Sequence, residues 1–240
     1  MLPWRHPGHH RHCRRGARSA EARGHRGAAT RVRTWPRVTP FGEFAFLVEL
    51  GDTFDDALAA RAQAIADRWD LGPGIPAYTS VVLSFDASVD VDRAEDRVAR
   101  LLRTEGSQAA ARAPARLVEI PMRYDGPDLA DVAAMSKLSI DELIGLHSGR
   151  EYVAYFLGFL PGWAYCGRLD PRVLATRLER PREHVPAGSV GVVDGQTGVY
   201  PYRSPGGWRL IGSTDEVMFD PARERPSLIS PGDRVRFVPR

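Results

Sequence analysis

Residues 158–165 read Gly158-Phe159-Leu160-Pro161-Gly162-Trp163-Ala164-Tyr165, and three blocks of the same texture follow. They are Val185-Pro186-Ala187-Gly188-Ser189-Val190-Gly191, Gln196-Thr197-Gly198-Val199-Tyr200-Pro201 and Ser204-Pro205-Gly206-Gly207-Trp208. Throughout this region short β-like runs are broken by Pro or Gly at nearly every turn. That pattern predicts an irregular β-barrel or sandwich rather than alternating strands and helices.

The same four blocks carry the chemistry that the sequence offers. Glycine permits close backbone approach to a ligand and proline fixes a loop, so such loops can hold N–H groups toward an anion or a carbonyl oxygen. Trp163, Tyr165, Tyr200 and Trp208 can wall a pocket for a flat or small polar ligand. Composition alone equally allows simple turns between barrel strands, and both interpretations stay open.

Upstream of these blocks the pattern alternates between strands and helices. Apolar residues alternate with polar ones in two predicted strands, at 44–50 and 79–85. Helical spacing of apolar residues follows each strand, at 53–69 and 91–102. This order predicts a small α+β domain with its helices on one face of the sheet.

A second unit is predicted to begin with a strand near residues 117–124. Two short helices follow, and the capping-box sequence Ser139-Ile140-Asp141-Glu142 marks the start of the second. The expected fold class is α+β, with a small N-terminal α/β-sandwich-like domain followed by a β-barrel domain. We expect the first domain at 38–103, a linker at 104–115 and the barrel at 116–240.

The charge of the chain is unevenly distributed. Residues 1–37 contain ten arginines and one acid, Glu21, whereas the remainder contains 23 basic and 29 acidic residues. The first 37 residues also lack apolar periodicity, which predicts a disordered basic tail. The favoured interpretation is a start site placed too far upstream, with an internal valine such as Val38 as the true start. A nucleic-acid arm and a metal-binding histidine tract are the alternatives for this tail. The folded part is acidic and offers no nucleic-acid footprint.

Common catalytic and metal-binding signatures do not occur in this sequence. Lys137, the single lysine, does not follow the glycines of a phosphate-binding loop, and Ala187 stands where a nucleophile elbow needs glycine. Outside the tail, His147 and His184 lack a partner at i+4, so no intrinsic metal is expected. The longest apolar stretch is too short to span a bilayer, and two cysteines cannot form a disulfide framework. We expect a cytoplasmic protein that binds no membrane.

The four blocks, in this order, resemble the allophanate hydrolase subunit 1 family, whose other names are the family of 5-oxoprolinase B subunits and the KipI-like family. The shared patterns are G-F-x-P-G-[FW]-x-Y, V-P-A-G-S-V-G, Q-T-G-[IV]-Y-P and S-P-G-G-W-x-L-I-G, with P-G-D-x-V-R-F near the end of the chain. The resemblance extends from about Thr39 to Arg240. It implies that the barrel at 116–240 is cyclophilin-like.

The resemblance also implies a function within a complex. Family members act with allophanate hydrolase subunit 2 or with the C subunit of 5-oxoprolinase, and the pair resembles the carboxyltransferase domain of urea carboxylase. Together with the A subunit of 5-oxoprolinase, the pair uses ATP to open the lactam of 5-oxoproline to glutamate. We therefore expect a subunit of an ATP-dependent amide or lactam hydrolase that is inactive alone. ATP and Mg²⁺ would occupy a site shared with the partner, and this chain would carry no biotin.

Two alternatives to this function remain open. One is a carboxyltransferase-type subunit of a urea or allophanate pathway. The other is a binding protein that inhibits a histidine kinase, which needs an exposed partner surface rather than a polar pocket.

The predicted site residues comprise one catalytic candidate and a larger binding set. His147 is the catalytic candidate because its imidazole can move a proton, although a histidine near a helix C-terminus also simply favours the helix dipole. Gln196 and Thr197 are the preferred contacts for a substrate amide or carboxylate. The predicted substrate-binding residues, on loops expected to converge on one face of the barrel, are Gly158, Pro161, Gly162, Tyr165, Gly188, Ser189, Gln196, Thr197, Tyr200, Ser204, Gly207 and Trp208.

Two departures from the family pattern concern this site. Cys166-Gly167-Arg168 stands where relatives usually have an aliphatic residue and a Gly-rich turn, and Cys166 is expected to be a packed thiol. Ser213 occupies a place often taken by arginine, which removes a possible anion contact. The identity of the substrate therefore stays open.

Overall fold

A computed structural model of the chain describes residues 34–53, 56–104 and 115–240. By its internal contacts, Thr34–Arg240 forms one unit. Most of the predicted tail and linker lies outside the described residues, while Arg37 already belongs to the first strand. The predicted domain boundaries therefore stay predictions. Among the described residues, no helix is both long and apolar enough to cross a membrane.

The N-terminal part of this unit is a four-stranded antiparallel sheet with two helices. Its elements are β1 (Arg37–Pro40), β2 (Ala45–Glu49), α1 (Asp56–Arg68), β3 (Gly74–Pro76), β4 (Ser80–Ser84) and α2 (Val91–Thr104). The sheet order is β1-β2-β4-β3, so the two strands predicted from alternation lie at its centre. The edge strands β1 and β3 escaped prediction because they are short and contain proline, which edge positions tolerate.

Alternation places one face of this sheet against the helices. Phe46 and Val48 of β2 and Leu83 of β4 are at most 3% exposed and share a core with the apolar faces of α1 and α2. Phe44 was expected to continue this buried series, but it is 44% exposed and meets Phe85 edge to face. The buried part of the strand therefore begins two residues later than the alternation predicts.

The C-terminal part is built on strands and two short helices. These elements are β5 (Leu117–Met122), α3 (Leu129–Ser136), α4 (Ile140–Ser148), β6 (Tyr152–Leu157), β7 (Ala164–Gly167), β8 (Arg182–Val185), β9 (Ser189–Val193), β10 (Gln196–Val199), β11 (Ser204–Gly206), β12 (Arg209–Ser213) and β13 (Arg234–Pro239). The capping box at α4 is confirmed, because Ser139 Oγ accepts from the Glu142 N–H and Glu142 accepts from the Ser139 N–H.

Seven of these strands form a sheet that nearly closes into a barrel. Their order is β12-β9-β10-β7-β6-β13-β5, and β8 pairs separately with β11. Arg123, the residue after β5, and Ser213, the last residue of β12, exchange two backbone hydrogen bonds of 2.8 Å. This bridge joins the two edge strands, so the predicted α+β fold with a C-terminal barrel is confirmed.

The barrel has a large aliphatic core and a smaller aromatic one. The large core gathers side chains of nearly every strand and of α3 and α4, among them the fully buried Ile120, Leu143 and Val235. The smaller core contains Trp163, Val185, Val193, Tyr200, Trp208 and Leu210. Its aromatic members all come from the blocks that the sequence singled out, so the candidate site begins there.

Candidate functional site

An aromatic pocket of about 200 Å³ opens beside this smaller core. Its lining residues are Phe159, Trp163, Tyr165, Arg177, Pro181, Tyr200, Pro205, Gly206, Gly207 and Trp208. Three of the sequence blocks, at 158–165, 196–201 and 204–208, thus meet at one cavity. Arg177 and Pro181, which the sequence did not indicate, complete the lining.

Trp163 is the central ring of the pocket wall. Its ring centroid lies 4.6 Å from Tyr200 and 4.9 Å from Trp208, in edge-to-face geometry. Phe159 at 5.6 Å and Tyr165 at 5.8 Å pack against it in the same manner. Each such pair is worth about 0.5–1.5 kcal/mol beyond its buried area. These contacts hold the indole in one orientation.

One buried polar atom of the pocket wall has no hydrogen-bond partner among the described residues. Trp163 is 1% exposed, and its Nε1 donates to no acceptor in the described part of the chain. The hydroxyl of Ser204, next to the lining residue Pro205, is buried and likewise unpaired there. Leaving a buried donor unpaired costs about 1–3 kcal/mol. Burial also raises the pKa of Tyr165, so its hydroxyl stays protonated at neutral pH.

Two consecutive glycines let Tyr200 and Arg177 pack closely at the pocket. A Cβ added to Gly206 would lie 2.3 Å from the Tyr200 hydroxyl oxygen, which is closer than any real contact. A Cβ on Gly207 would lie 3.1 Å from Cγ of Arg177. Side chains at these positions would occupy the space of the lining residues. This is the physical reason for the Gly-Gly-Trp sequence.

Gly188 and Ser189 support the pocket through the backbone of Tyr200. The Gly188 N–H donates to the Tyr200 carbonyl at 2.7 Å, and the Tyr200 N–H donates to the Ser189 carbonyl at 2.9 Å. Gly188 has a φ of +80°, and a Cβ there would lie 2.2 Å from the carbonyl oxygen of Thr214. Both residues therefore act on the pocket from outside its lining.

Gly158, Pro161 and Gly162 shape the loop between β6 and β7. The Gly158 N–H donates to the Trp163 carbonyl at 3.3 Å, which closes the loop. Gly162 has a φ of +84° and packs against the backbone of Met218, while Pro161 is exposed. None of the three is among the lining residues of the aromatic pocket. Their predicted contact with substrate stays a prediction.

Gln196 lies on a different cavity from the aromatic residues. This Gln196 cavity, of about 280 Å³, is lined by Tyr78, Tyr155, Gly167, Arg168, Leu169, Asp194, Gly195 and Gln196. Tyr78 precedes β4, so the cavity lies between the N-terminal sheet and the barrel. The predicted binding set is therefore divided between two places, with Tyr165, Tyr200, Gly207 and Trp208 on one cavity and Gln196 on the other.

Polar contacts across the Gln196 cavity join the two parts of the fold. The Tyr78 hydroxyl donates to Gln196 Oε1 at 2.6 Å, and the Tyr155 hydroxyl donates to Asp56 Oδ1 at 2.8 Å. Arg168 pairs with the same Asp56 carboxylate at 3.5 Å. Burial raises the pKa values of Tyr78 and Tyr155 well above the usual tyrosine range, so both remain donors.

His147 and Thr197 meet in the barrel interior. His147 is 1% exposed, with Nε2 3.0 Å from Thr197 Oγ1 and Nδ1 2.7 Å from the Tyr124 hydroxyl. Thr197 uses its own proton on the Gly191 carbonyl, so we assign the His147 proton to Nε2, which leaves Nδ1 to accept from Tyr124. Burial lowers the pKa of His147 to about 3, so the ring is neutral.

These contacts favour a structural role for both residues. His147 joins α4 to β10 through Thr197, and neither residue is among the lining residues of the two cavities. Proton transfer to a substrate needs a titrating group within hydrogen-bond reach of it. The catalytic role of His147 stays a prediction, and its position does not favour it.

The two departures from the family pattern also have structural places. Cys166 is 1% exposed, and burial raises its pKa to about 12, which agrees with the expected packed thiol. Ser213 Oγ donates to a carboxylate oxygen of Asp125 at 2.8 Å, beside the Arg123–Asp215 ion pair. The carboxylates near Ser213, those of Asp125 and Asp215, are therefore already paired with Arg123.

The fold agrees with what the comparisons show. The sequence matches the family model described as carboxyltransferase domain, subdomain C and D, over residues 36–229. The chain therefore belongs to this family of carboxyltransferase domains.

Named relatives narrow the family further. Two similar proteins are named as the B subunit of 5-oxoprolinase. The protein from Escherichia coli O157:H7 is 44% identical to this chain over 207 residues, and the protein from Bacillus subtilis (strain 168) is 35% identical over 227 residues. These alignments cover 82% and 84% of this chain, and 93% and 92% of the relatives. The resemblance seen in the sequence blocks is thereby confirmed.

A solved structure supports the fold. The crystal structure of TTHA0988 aligns with a TM-score of 0.71 at 35% identity, and the match covers 82% of this chain. It covers 39% of the TTHA0988 chain, so this chain spans about two fifths of that protein's length.

Sequence reasoning missed Tyr78 and Arg177, each of which lines one of the cavities. Tyr78 was hidden because it lies outside the four blocks and is brought to Gln196 by tertiary packing. Arg177 was hidden among many arginines in a segment without periodicity. The available signal was indirect: Gly207 leaves room for a neighbour, and Arg177 fills that room.

Proposed function

We propose that this chain is the B subunit of an ATP-dependent 5-oxoprolinase, which converts 5-oxoproline, ATP and two molecules of water to glutamate, ADP and phosphate. The observation that carries the proposal is the 44% identity to the E. coli protein of that name, over 93% of that protein. The aromatic pocket supports it, because a cavity of about 200 Å³ with flat walls suits a small ring.

The described residues contribute binding groups rather than a complete catalytic site. Within the described chain each cavity has a single arginine, Arg177 in one and Arg168 in the other, and Arg168 is already paired with Asp56. A triphosphate with Mg²⁺ is held by several cationic or N–H donors together. Neither cavity fits that group by itself. We therefore place the nucleotide on a partner protein or on a surface shared with it.

In this proposal the chain binds the lactam ring, orients it and shields it from water. The rigid rings around Trp163 supply the walls, and positioning of this kind supplies a large share of enzymatic rate enhancement. The C and A subunits of 5-oxoprolinase would complete the site.

Reconstitution tests this proposal directly. Glutamate release from 5-oxoproline and ATP is measured for the chain alone, for the chain with the C subunit, and for the chain with both the C and A subunits. We expect turnover from the full combination and none above background from the chain alone. Turnover by the single chain, or a co-purifying complex of all three proteins without 5-oxoproline turnover, would contradict the proposal.

A further inference from the structure

Within the described chain, the side chain of Arg177 is an unpaired cation at the aromatic pocket. Neighbouring arginines are engaged: Arg182 pairs with Asp128 at 2.7 Å, and Arg209 donates to the Thr176 carbonyl at 3.2 Å. Arg177 makes no hydrogen bond or ion pair with any residue that the structure describes, and it lines the pocket. Its charge is therefore available to a ligand.

The backbone and stem of Arg177 are nevertheless held in place. The N–H of the next residue, Leu178, donates to the Gly207 carbonyl at 2.8 Å. The aliphatic stem lies over Gly207, with Cγ and Cδ 3.1 and 3.6 Å from where a Cβ of that glycine would be. Arg177 as a whole is exposed, and this packing of its stem lowers the ordering cost when the guanidinium end binds an anion.

The described lining residues of the pocket include one cation and no carboxylate. Its charged group is the Arg177 guanidinium, and Nε1 of Trp163, unpaired among the described residues, adds a second donor. Aromatic rings make up most of the remaining wall. A complementary ligand has a flat apolar body, a carboxylate for the guanidinium and a carbonyl oxygen for the indole N–H.

We infer that Arg177 binds the carboxylate of a small cyclic carboxylic acid in the aromatic pocket, with the ring against the aromatic wall and its carbonyl toward Trp163 Nε1. This inference rests on the proposed function, since 5-oxoproline has all three features. It assigns substrate recognition to Arg177 and the aromatic wall of the pocket, and it leaves Gln196 outside the contact.

Ligand dissection by calorimetry tests the inference. Three probes are titrated into the full chain and into its complex with the C and A subunits: 5-oxoproline, 2-pyrrolidone, which lacks the carboxylate, and cyclopentanecarboxylate, which lacks the lactam. We expect 5-oxoproline to bind tightest. Arg177→Gln should weaken 5-oxoproline binding about ten- to a hundred-fold, as expected for a lost charge-assisted hydrogen bond, and leave 2-pyrrolidone unchanged.

Arg180→Gln is the matched control, because Arg180 is exposed and is not a lining residue of the pocket. It should bind all three probes as the parent protein does. Equal losses in both variants, equal binding of 2-pyrrolidone and 5-oxoproline, or no binding of 5-oxoproline to either preparation would overturn the inference.

The outcomes for pocket and function are separable. A complex that binds 5-oxoproline through Arg177 but does not hydrolyse it supports the pocket and contradicts the proposed reaction. A complex in which Arg177→Gln leaves both KM and kcat unchanged supports the reaction and contradicts the pocket.

Discussion

The hydroxyl of Tyr78 donates a hydrogen bond of 2.6 Å to Oε1 of Gln196, joining the N-terminal sheet to the first residue of β10. The Tyr78 ring also packs edge to face on Phe156, at 4.8 Å. Gln196 therefore lies where the two parts of the fold meet, and a substitution there changes the contact between them. The contribution of Gln196 to stability can therefore be measured separately from its predicted contact with substrate.

Variants on the two sides of this bond measure that contribution. Tyr78→Phe removes the hydroxyl and should lower the free energy of unfolding by about 0.5–1.5 kcal/mol. Gln196→Ala removes the other partner of the same hydrogen bond and should lower the free energy of unfolding by a similar amount, about 0.5–1.5 kcal/mol. Denaturant unfolding of both single variants and the double variant gives the coupling between them. Fully additive losses would contradict a direct interaction.

Turnover of the same variants tests the substrate contact predicted for Gln196. If the amide binds substrate, Gln196→Ala loses about ten- to a hundred-fold in the reconstituted complex, while Tyr78→Phe stays near the parent rate. If the Gln196 cavity only joins the two parts of the fold, both variants keep the parent rate. A fully active Gln196→Ala removes Gln196 from the substrate site.

Neutral His147 makes the free energy of unfolding depend on pH. Its pKa is lowered to about 3 by burial, against about 6.5 in an unfolded chain. Between these values only the unfolded state binds the proton, so stability is greatest above about pH 6.5 and falls as the pH falls toward 3. The slope approaches about 1.4 kcal/mol per pH unit.

A variant without His147 isolates this effect from the titrating carboxylates. His147→Gln keeps an amide that can bond to Tyr124 or Thr197 but does not titrate. Unfolding free energies at pH 7 and pH 5 should show a drop about 2 kcal/mol smaller in the variant than in the parent. An equal drop in both proteins would show that the folded protein also takes up the proton.

Comparing two glycines with nearly the same φ distinguishes the cost of backbone strain from the cost of steric overlap. Gly188 and Gly195 have φ values of +80° and +81°, but a Cβ on Gly195 meets nothing within 4 Å, whereas one on Gly188 overlaps the Thr214 carbonyl. Gly195→Ala should cost about 1–2 kcal/mol through backbone strain alone. Gly188→Ala should cost clearly more and, because Gly188 holds Tyr200, should also weaken ligand binding. Similar melting temperatures for the two variants would refute this distinction.

The basic N-terminal residues are predicted to be dispensable. A chain that starts at Val38 loses the Arg37–Glu49 ion pair, whose side chains are 57% and 31% exposed and whose contribution is therefore small. We expect its melting temperature and its complex formation to match those of the full chain. A fall of several degrees would show that the removed residues stabilise the fold.

Local patterns predicted much of the fold because each pattern has a local cause. The alternation in β2 and β4 and the capping box at Ser139 depend on neighbouring residues, so they are readable from sequence. The bridge between Arg123 and Ser213 that nearly closes the barrel joins residues far apart in the chain, and no local pattern marks it.

The candidate site was predictable only in part for the same reason. Glycines and aromatic residues marked the loops that meet at the aromatic pocket. Gln196 and Tyr200 lie only four residues apart but line different cavities. Their closeness in sequence therefore could not show that they belong to different sites. Burial of His147 depends on α4 packing onto the barrel, which its position in the sequence does not reveal.

The most direct test of the account is substrate-dependent ATP hydrolysis by the complex of this chain with the C and A subunits of 5-oxoprolinase. ADP and glutamate are measured together with 5-oxoproline as substrate, and ADP and ammonia with allophanate in a parallel reaction. The account predicts equal amounts of ADP and glutamate with 5-oxoproline and background rates with allophanate. Turnover of allophanate with no glutamate formed from 5-oxoproline would contradict it.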